Sequence, residues 1–154
     1  MPNWAYLIVA LFYNLGLAFW IGGAIALGAL VAPRLFRVLP RPEAGEMFGS
    51  ILRTFARVRL VALAAVIGAA AVKFMAWENG AAQSVVRTWM LVRWLAIGVM
   101  AFAVLYEIFY LEGAIAMSRA EEAGPGERFK RLHRRAEMLM KVSILAALIA
   151  LFLN

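Results

Sequence analysis

Few side chains in this sequence could take part in chemistry, and most of those that could are surrounded by apolar residues. Glu107 lies in the run AVLYEIFYLEGAIA, residues 103–116, between aliphatic and aromatic side chains. Lys73, Arg93 and Lys141 also fall within long apolar runs. Because an ionisable group at membrane depth is energetically costly, such residues are candidates for proton or ion handling, or for ion pairs between helices.

The residue types needed for most catalytic and metal sites are scarce. The chain has no cysteine and no aspartate, and His133 is its single histidine. These counts exclude thiolate metal sites, cysteine nucleophiles and haem held by two histidines of one chain. We therefore expect a protein that is not an enzyme and has no metal and no cofactor. Histidine changes charge near physiological pH, so His133 is either an ordinary surface residue or a switch.

The composition indicates a membrane protein. Of the 154 residues, 65% are hydrophobic, against roughly 45–50% in soluble domains. A transmembrane helix needs about 17–25 predominantly apolar residues. Four runs approach or exceed that length: residues 4–32, 60–77, 89–111 and 138–153. We predict an all-α fold in which residues 1–154 form one integral membrane domain, an antiparallel bundle of four transmembrane helices.

The basic residues are concentrated in two of the three predicted loops. The first loop holds Arg34, Arg37, Arg41, Arg53, Arg57 and Arg59, and the third holds Arg119, Arg128, Lys130, Arg131, Arg134 and Arg135. By the positive-inside rule both loops face the cytoplasm, so both termini lie outside it, in a membrane of the bacterial inner type. The tryptophans agree, since Trp4, Trp77, Trp89 and Trp94 fall at the predicted outer ends. Topology and anionic lipid headgroups account for the net charge of +7, and we expect no nucleic-acid partner.

Both predicted cytoplasmic loops contain helical patterns. Pro33, Pro40 and Pro42 interrupt the helix where the first span leaves the membrane. Residues 46–59 have an apolar stripe between arginines, which predicts a helix that lies at the membrane surface and turns into the second span near Arg59. After the third span, a turn at Gly124-Pro125-Gly126 and a new helix from Glu127 predict a cytoplasmic helical hairpin.

Small residues recur at four-residue spacing on the first two spans. They are Ala18, Gly22 and Ala26 on the first, and Ala64 and Gly68 on the second. Because small side chains allow helix backbones to approach closely in lipid, we expect these two helices to be in contact.

The stretch FWIGGAIALGALVAPRLFRVLPRPEAG, residues 19–45, carries a resemblance to a known family. A tryptophan precedes a glycine pair, Ala-Pro-x-Leu-Phe follows at the membrane exit, and Leu-Pro precedes an Ala-Gly pair. The residues concerned are Trp20, Gly22, Gly23, Pro33, Phe36, Pro40 and Gly45. This pattern resembles the transmembrane protein 205-like family, a bacterial membrane domain of unknown function. The resemblance implies a small four-span membrane protein without an established catalytic site.

Glu107 needs a partner because its side chain is too short to reach the membrane surface easily. The fourth span is antiparallel to the third and brings Lys141 to a similar depth, which predicts a Glu107–Lys141 ion pair; Arg57 and Arg59 are alternatives. Lys73 and Arg93 have longer side chains in the outer halves of their helices, so we expect them to extend outward to the interface.

Taken together, these features predict a structural or accessory component of a membrane assembly. Its partners would be the lipid bilayer and either further copies of the chain or a larger membrane-protein complex. The alternative is an oligomeric transporter or channel for a small molecule or ion, with a path past Glu107, Asn14, Tyr106 and Tyr110. Loss of flux on Glu107→Gln would indicate transport, whereas loss of stability without any flux would indicate a brace between helices.

Overall fold

A computed structural model describes residues 3–78, 84–121 and 126–154. The regular elements of these residues are all helical: α1 (Asn3–Ala26), α2 (Ala32–Val38), α3 (Arg41–Lys73), α4 (Ser84–Tyr106), α5 (Glu112–Glu121) and α6 (Glu127–Phe152). Five-residue π-helical turns follow three of them, namely Leu27–Val31 after α1, Phe74–Glu78 after α3 and Glu107–Leu111 after α4. The helix therefore continues from α1 into α2 and from α4 into α5.

Three continuous helical stretches are long and apolar enough to cross a membrane: Asn3–Val38, Arg41–Glu78 and Val86–Ser118. The chain is thus a helical membrane protein. Helix α6 differs from these three because charged residues are frequent in its first half, up to Lys141, while residues 142–152 are almost entirely apolar. Large apolar side chains are exposed on the outside of the long helices, as lipid-facing surfaces require.

The long helices pack around one apolar core. Helix α1 contacts α3 and α6, and α4 contacts α6 and α3. Each helix contributes buried side chains to the core, including Tyr13, Leu17, Trp20, Leu63, Val66, Ile97, Met100, Val104, Ala147 and Ala150. We call the end that holds the first residues of α1 and the last of α6 the terminal end. The opposite end, which holds α2, the start of α3 and the α5–α6 pair, is the hairpin end.

The three prolines do not act alike. The helix continues through Pro33, which occupies the first turn of α2 directly after a π-helical turn. Prolines are tolerated within membrane helices where a local π-helical adjustment satisfies the backbone groups that the proline frees, and here the Ala32 N–H bonds to the Leu27 carbonyl across the π-helical turn. The break comes at Leu39 and Pro40, which have extended backbone ψ angles, and Pro42 lies in the first turn of α3. The prediction that Pro33 interrupts the helix was therefore wrong.

Helix α3 runs unbroken from Arg41 to Lys73, so the change of direction predicted near Arg59 is absent. Residues 46–59 are helical, as predicted. The rings of Phe48 and Phe36 lie 6.3 Å apart, and Phe55 packs against Gly23. The first half of α3 thus packs its aromatic side chains against α1 and α2, where they are sheltered by protein.

Helices α1 and α3 are in contact, as the small residues predict, but other glycines make the approach. A Cβ atom at Gly16 would lie 2.6 Å from Val66 Cγ2 and 2.9 Å from the Ala62 carbonyl oxygen. At Gly23 it would lie 2.3 Å from Phe55 Cε2. Gly22 and Gly68 have open space at the same position. The contact therefore runs along a face of α1 with two glycines seven residues apart.

The predicted hairpin is present in its two arms. Helix α6 begins at Glu127, as predicted, with Gly126 as its N-cap residue. A small apolar cluster joins the arms through Leu111 and Ala114 on one side and Leu132 on the other. Of the predicted turn, Gly124 and Pro125 lie outside the described residues.

Candidate functional site

The first of two buried ion pairs joins α3 to the π-helical turn that follows α4. Arg59 on α3 is only 1% exposed, and its Nη2 atom donates a hydrogen bond of 2.5 Å to Glu107 Oε2. Its Nη1 atom donates to Met140 Sδ on α6 at 3.4 Å. We call Arg59 and Glu107 the Arg59 clamp.

Aromatic rings enclose the guanidinium of the Arg59 clamp. Its carbon lies 5.4 Å from the ring centroid of Trp20 and 5.2 Å from that of Phe55. Trp20 is fully buried and directs its Nε1 atom to Ser143 Oγ at 3.4 Å. A cation over an aromatic face gains about 2 kcal/mol or more when water is excluded, so these rings help to offset the burial of the charge.

The second ion pair joins α4 to the π-helical turn that follows α3. Arg93 is 2% exposed and binds both carboxylate oxygens of Glu78, with Nη1 donating to Oε1 at 2.9 Å and Nη2 donating to Oε2. A bidentate pair of this kind is among the strongest hydrogen-bonding arrangements in proteins. Lys73 places a second cation near the same carboxylate, with Nζ 3.7 Å from Oε1. We call Arg93, Glu78 and Lys73 the Arg93 clamp.

Polar contacts extend the Arg93 clamp to the last residues of the chain. Lys73 Nζ donates to Asn154 Oδ1 at 3.2 Å, and Asn154 Nδ2 donates to Asn14 Oδ1 at 3.0 Å. The Tyr13 hydroxyl donates to the Ala150 carbonyl at 2.9 Å. These bonds tie α1, α3 and α6 together at the terminal end.

The two clamps are reciprocal. Each takes its arginine from α3 or α4 and its glutamate from the π-helical turn after the other helix. At 1.5 Å per residue, the clamps lie about 20–30 Å apart along these helices, which is comparable to the ~30 Å thickness of a bilayer core. Glu78 ends its turn and Glu107 begins its turn. Such π-helical turns are rare and are frequent at functional sites.

Each arginine has one unused donor. The Nε atoms of Arg59 and Arg93 are buried and have no hydrogen-bond partner among the residues that the structure describes. An unsatisfied buried donor costs about 1–3 kcal/mol. The two ion pairs therefore stabilise the bundle by less than they would if every arginine donor had an acceptor.

The structure does not bring Glu107 and Lys141 together. Glu107 binds Arg59, which was the alternative partner, and Lys141 donates to Glu137 at 2.7 Å on an exposed face of α6. The physical reason is the rotation of α6, which turns Met140 inward to Arg59 and leaves Lys141, one residue on, 66% exposed. The hydrogen bond from Lys141 also lowers the pKa of the Glu137 carboxyl.

Lys73 and Arg93 were expected to extend outward to the interface. In the structure both are buried and contact Glu78, at the terminal end of the turn that follows α3. Glu78 was missed because it lies at the boundary of an apolar run and reads as a loop residue. One signal was available: Glu78 is the only acidic residue between Glu46 and Glu107. A buried cation on the facing parts of α3 and α4 therefore had few possible carboxylate partners in the sequence, and Glu78 was one of them.

His133 lies on an exposed part of α6, with its ring stacked on that of Phe129 at 5.9 Å between centroids. Across residues 3–78, 84–121 and 126–154, histidine and acidic side chains form no group of three or more that could hold a metal ion.

Comparison with known protein families assigns the chain to one of them. Residues 15–123 match the family described as Domain of unknown function (DUF4149), which is more than half of the sequence. The chain belongs to this family. The match includes the four arginine and glutamate residues of the two clamps and ends before α6. It does not show the more specific transmembrane protein 205-like family. Curated proteins and solved structures contain no match to the chain.

The residues that carried the resemblance differ in their surroundings within the DUF4149 domain. Trp20 and Gly23 support the Arg59 clamp, one by covering the guanidinium and the other by making room for Phe55. Gly22 and Gly45 have open space where a side chain would lie. Phe36 contacts Phe48, and Pro40 precedes α3.

Proposed function

We propose that this DUF4149 protein is a non-catalytic structural or accessory component of a membrane assembly, built as an antiparallel four-helix membrane bundle. The helix packing supports a fourth span, because α6 contacts both α1 and α4 and its apolar second half contributes Ala147 and Ala150 to the core. Its charged first half would lie at and beyond the membrane surface, and the α5–α6 pair would project into the cytoplasm.

One observation carries the structural role: the partly buried carboxylates of Glu107 and Glu78 are each paired with a buried arginine, and the space between the clamps is filled with apolar side chains. Val66, Met100 and Val104 are fully buried there. The two nearby hydroxyls are satisfied by α6 itself, since Tyr13 donates to Ala150 O and Ser143 donates to Met140 O. A proton relay needs a chain of groups that can exchange protons across the membrane. This interior instead has one ion pair near each end, with apolar side chains between them.

The arginine distribution supports an orientation with the hairpin end in the cytoplasm and both termini outside it. In that orientation, the Arg59 clamp lies towards the inner face of the membrane and the Arg93 clamp towards the outer face. A reporter fused after Asn154 that works only in the cytoplasm would overturn this orientation if it were active.

The alternative function is an oligomeric transporter or channel. It is favoured by a stack of aromatic rings along the end of α4 and the π-helical turn after it, formed by Phe102, Tyr106 and Tyr110. The ring centroids lie 5.7 and 5.0 Å apart, and Tyr110 is exposed on the outside of the molecule. Asn14 lies at the opposite end, bonded to Asn154. A path through these residues would therefore have to run between copies of the chain.

Replacing both residues of the Arg59 clamp by apolar residues distinguishes the structural role from the transporter. Removing both partners of a buried ion pair is often neutral for stability, whereas removing one is strongly destabilising. We expect Glu107→Leu alone to destabilise the protein and the double change Arg59→Met with Glu107→Leu to recover most of the loss. Proteoliposomes containing the wild type should show no proton or ion flux.

Flux in the wild type that disappears in the stable double variant would overturn the structural role and favour transport. Mass analysis of the protein purified in a mild detergent supplies the second criterion. Co-purifying subunits would support the accessory role, whereas a closed oligomer of this chain alone would favour the transporter.

A further inference from the structure

A groove opens between α4 and α6 near the hairpin end and is not used by either clamp. Its volume is about 500 Å³, and six of its lining residues lie along one stripe of α6, with Tyr106 of α4 beside them. The stripe begins with Arg131, Arg134 and Arg135. It continues towards the terminal end with Met138, Leu139 and Val142. The groove is thus basic at one end and apolar at the other.

The arginines of this groove have no carboxylate partner among the described residues. The two acidic side chains of α6 are engaged by lysines, Glu127 by Lys130 at 2.9 Å and Glu137 by Lys141 at 2.7 Å. The groove lining itself contains no acidic residue. Glu127 and Glu137 are near enough to Arg131 and Arg134 to interact electrostatically, but their ion pairs are with the lysines. Three neighbouring guanidiniums repel one another and favour an anion, and arginine binds phosphate with two parallel hydrogen bonds.

The apolar half of the groove indicates that the anion is part of an amphiphile. From Arg131 to Val142 the stripe is about 16 Å long at 1.5 Å per residue, which matches the distance from a lipid phosphate to about the middle of one leaflet's acyl region. Met138 is 58% exposed and Val142 47% exposed. This half of the groove is therefore open to the surrounding lipid along its length.

We propose that the groove binds one anionic phospholipid. Its phosphate lies against Arg131, Arg134 and Arg135, and an acyl chain follows Met138 and Val142 with Tyr106 at the side. Basic pockets between transmembrane helices are suited to such headgroups, and each basic side chain near a membrane surface adds to the attraction. Except for Tyr106, the residues of the site lie on α6, outside the part of the chain that matches the DUF4149 family.

Native mass spectrometry of the full chain released from detergent tests the site, with phosphatidylglycerol as the anionic probe and phosphatidylcholine as the zwitterionic one. We expect one retained phosphatidylglycerol and no retained phosphatidylcholine. The triple change Arg131→Gln, Arg134→Gln, Arg135→Gln should weaken phosphatidylglycerol binding at least about tenfold. Equal retention of the two lipids by the wild type would overturn the proposal.

A matched control removes the same charge elsewhere. Arg34, Arg37 and Arg41 are also exposed at the hairpin end, so their triple change to Gln should leave phosphatidylglycerol binding nearly unchanged. Thermal unfolding of both triple variants shows whether either is misfolded. Equal loss of binding in two folded triple variants would mean a general effect of charge and would overturn the site. If the groove variant misfolds, the single change Arg134→Gln takes its place, and unchanged binding there would also overturn it.

The apolar half distinguishes a lipid from free phosphate. Met138→Asn with Val142→Asn should weaken phosphatidylglycerol binding without altering any arginine. Competition by inorganic phosphate should be weak. Full competition by inorganic phosphate, together with unchanged binding in the Met138 and Val142 variant, would assign the groove to a free anion and overturn the lipid.

Discussion

The Arg59 clamp and the Arg93 clamp contain the same pair of residue types, yet their surroundings differ. Arg59 makes one hydrogen bond to Glu107 and lies between the rings of Trp20 and Phe55. Arg93 binds Glu78 through two nitrogens, and Lys73 adds a second cation. The charge of Arg59 is stabilised partly by aromatic faces and that of Arg93 mainly by a carboxylate, while Lys73 lies 5.5 Å from the ring centroid of Tyr6.

This difference determines what remains when a carboxylate is lost. Without Glu107, Arg59 would still have two aromatic rings and the Met140 sulfur. Without Glu78, Arg93 and Lys73 would be two neighbouring buried cations with no anion between them. Two clamps that look alike by residue type are therefore expected to respond differently to the same substitution.

The largest expected effect is that of Glu78→Gln. Removing one partner of a buried ion pair costs about 3–5 kcal/mol, and here the loss leaves two cations facing each other. The free energy of unfolding in mixed micelles measures it. The double change Glu78→Gln with Lys73→Met should recover part of the loss, because one of the two cations is gone. An equal loss in the single and double variants would show that Lys73 does not belong to the clamp.

Glu107→Gln should destabilise the protein less, by about 2 kcal/mol, because cation–π contacts with Trp20 and Phe55 remain. A double-mutant cycle identifies the partner. Arg59→Met should couple to Glu107→Gln, whereas Lys141→Met should be additive with it. Coupling to Lys141 instead of Arg59 would restore the pair that the sequence suggested.

Gly23→Ala should affect the Arg59 clamp alone. The new methyl group would overlap the Phe55 ring and displace it from the guanidinium, at a cost of about 1–3 kcal/mol for overpacking. Gly22→Ala is the matched control, because its position faces open space, and it should leave stability nearly unchanged. Combining each change with Glu107→Gln measures coupling. Simple additivity for Gly23→Ala would mean that Phe55 does not support Arg59.

The smallest effect is expected for Lys141→Met. Lys141 and Glu137 form an exposed pair one helical turn apart, and such pairs contribute little to stability. Thermal unfolding should show no resolved change. A clear loss of stability would indicate that Lys141 lies against a partner in the membrane.

Much of the fold could be predicted because it depends on local chemistry. The apolar runs indicated the membrane, Pro40 and Pro42 marked the break before α3, and Gly126 with Glu127 marked the start of α6. Pro33 was misread because the π-helical turn before it lets the helix continue. The change of direction predicted near Arg59 is absent: residues 46–59 continue straight into the rest of α3, and their aromatic side chains pack against α1 and α2, because an amphipathic stripe fits a protein groove as well as a membrane surface.

By itself, the sequence determined that this chain is a helical membrane protein. Long apolar runs place the backbone in lipid, where unpaired backbone groups are costly, and a helix pairs those groups within the run itself. It also indicated that Glu107 would need a partner at depth, although it did not indicate that Lys73 and Arg93 would share Glu78. The choice of partner was decided only by the tertiary structure. Successive helical residues point about 100° apart, and π-helical turns at Leu27–Val31, Phe74–Glu78 and Glu107–Leu111 shift that rotation. The cation that a carboxylate meets therefore depends on the rotation of each helix in the packed bundle. In this bundle Glu107 meets Arg59, and Glu78 meets Arg93.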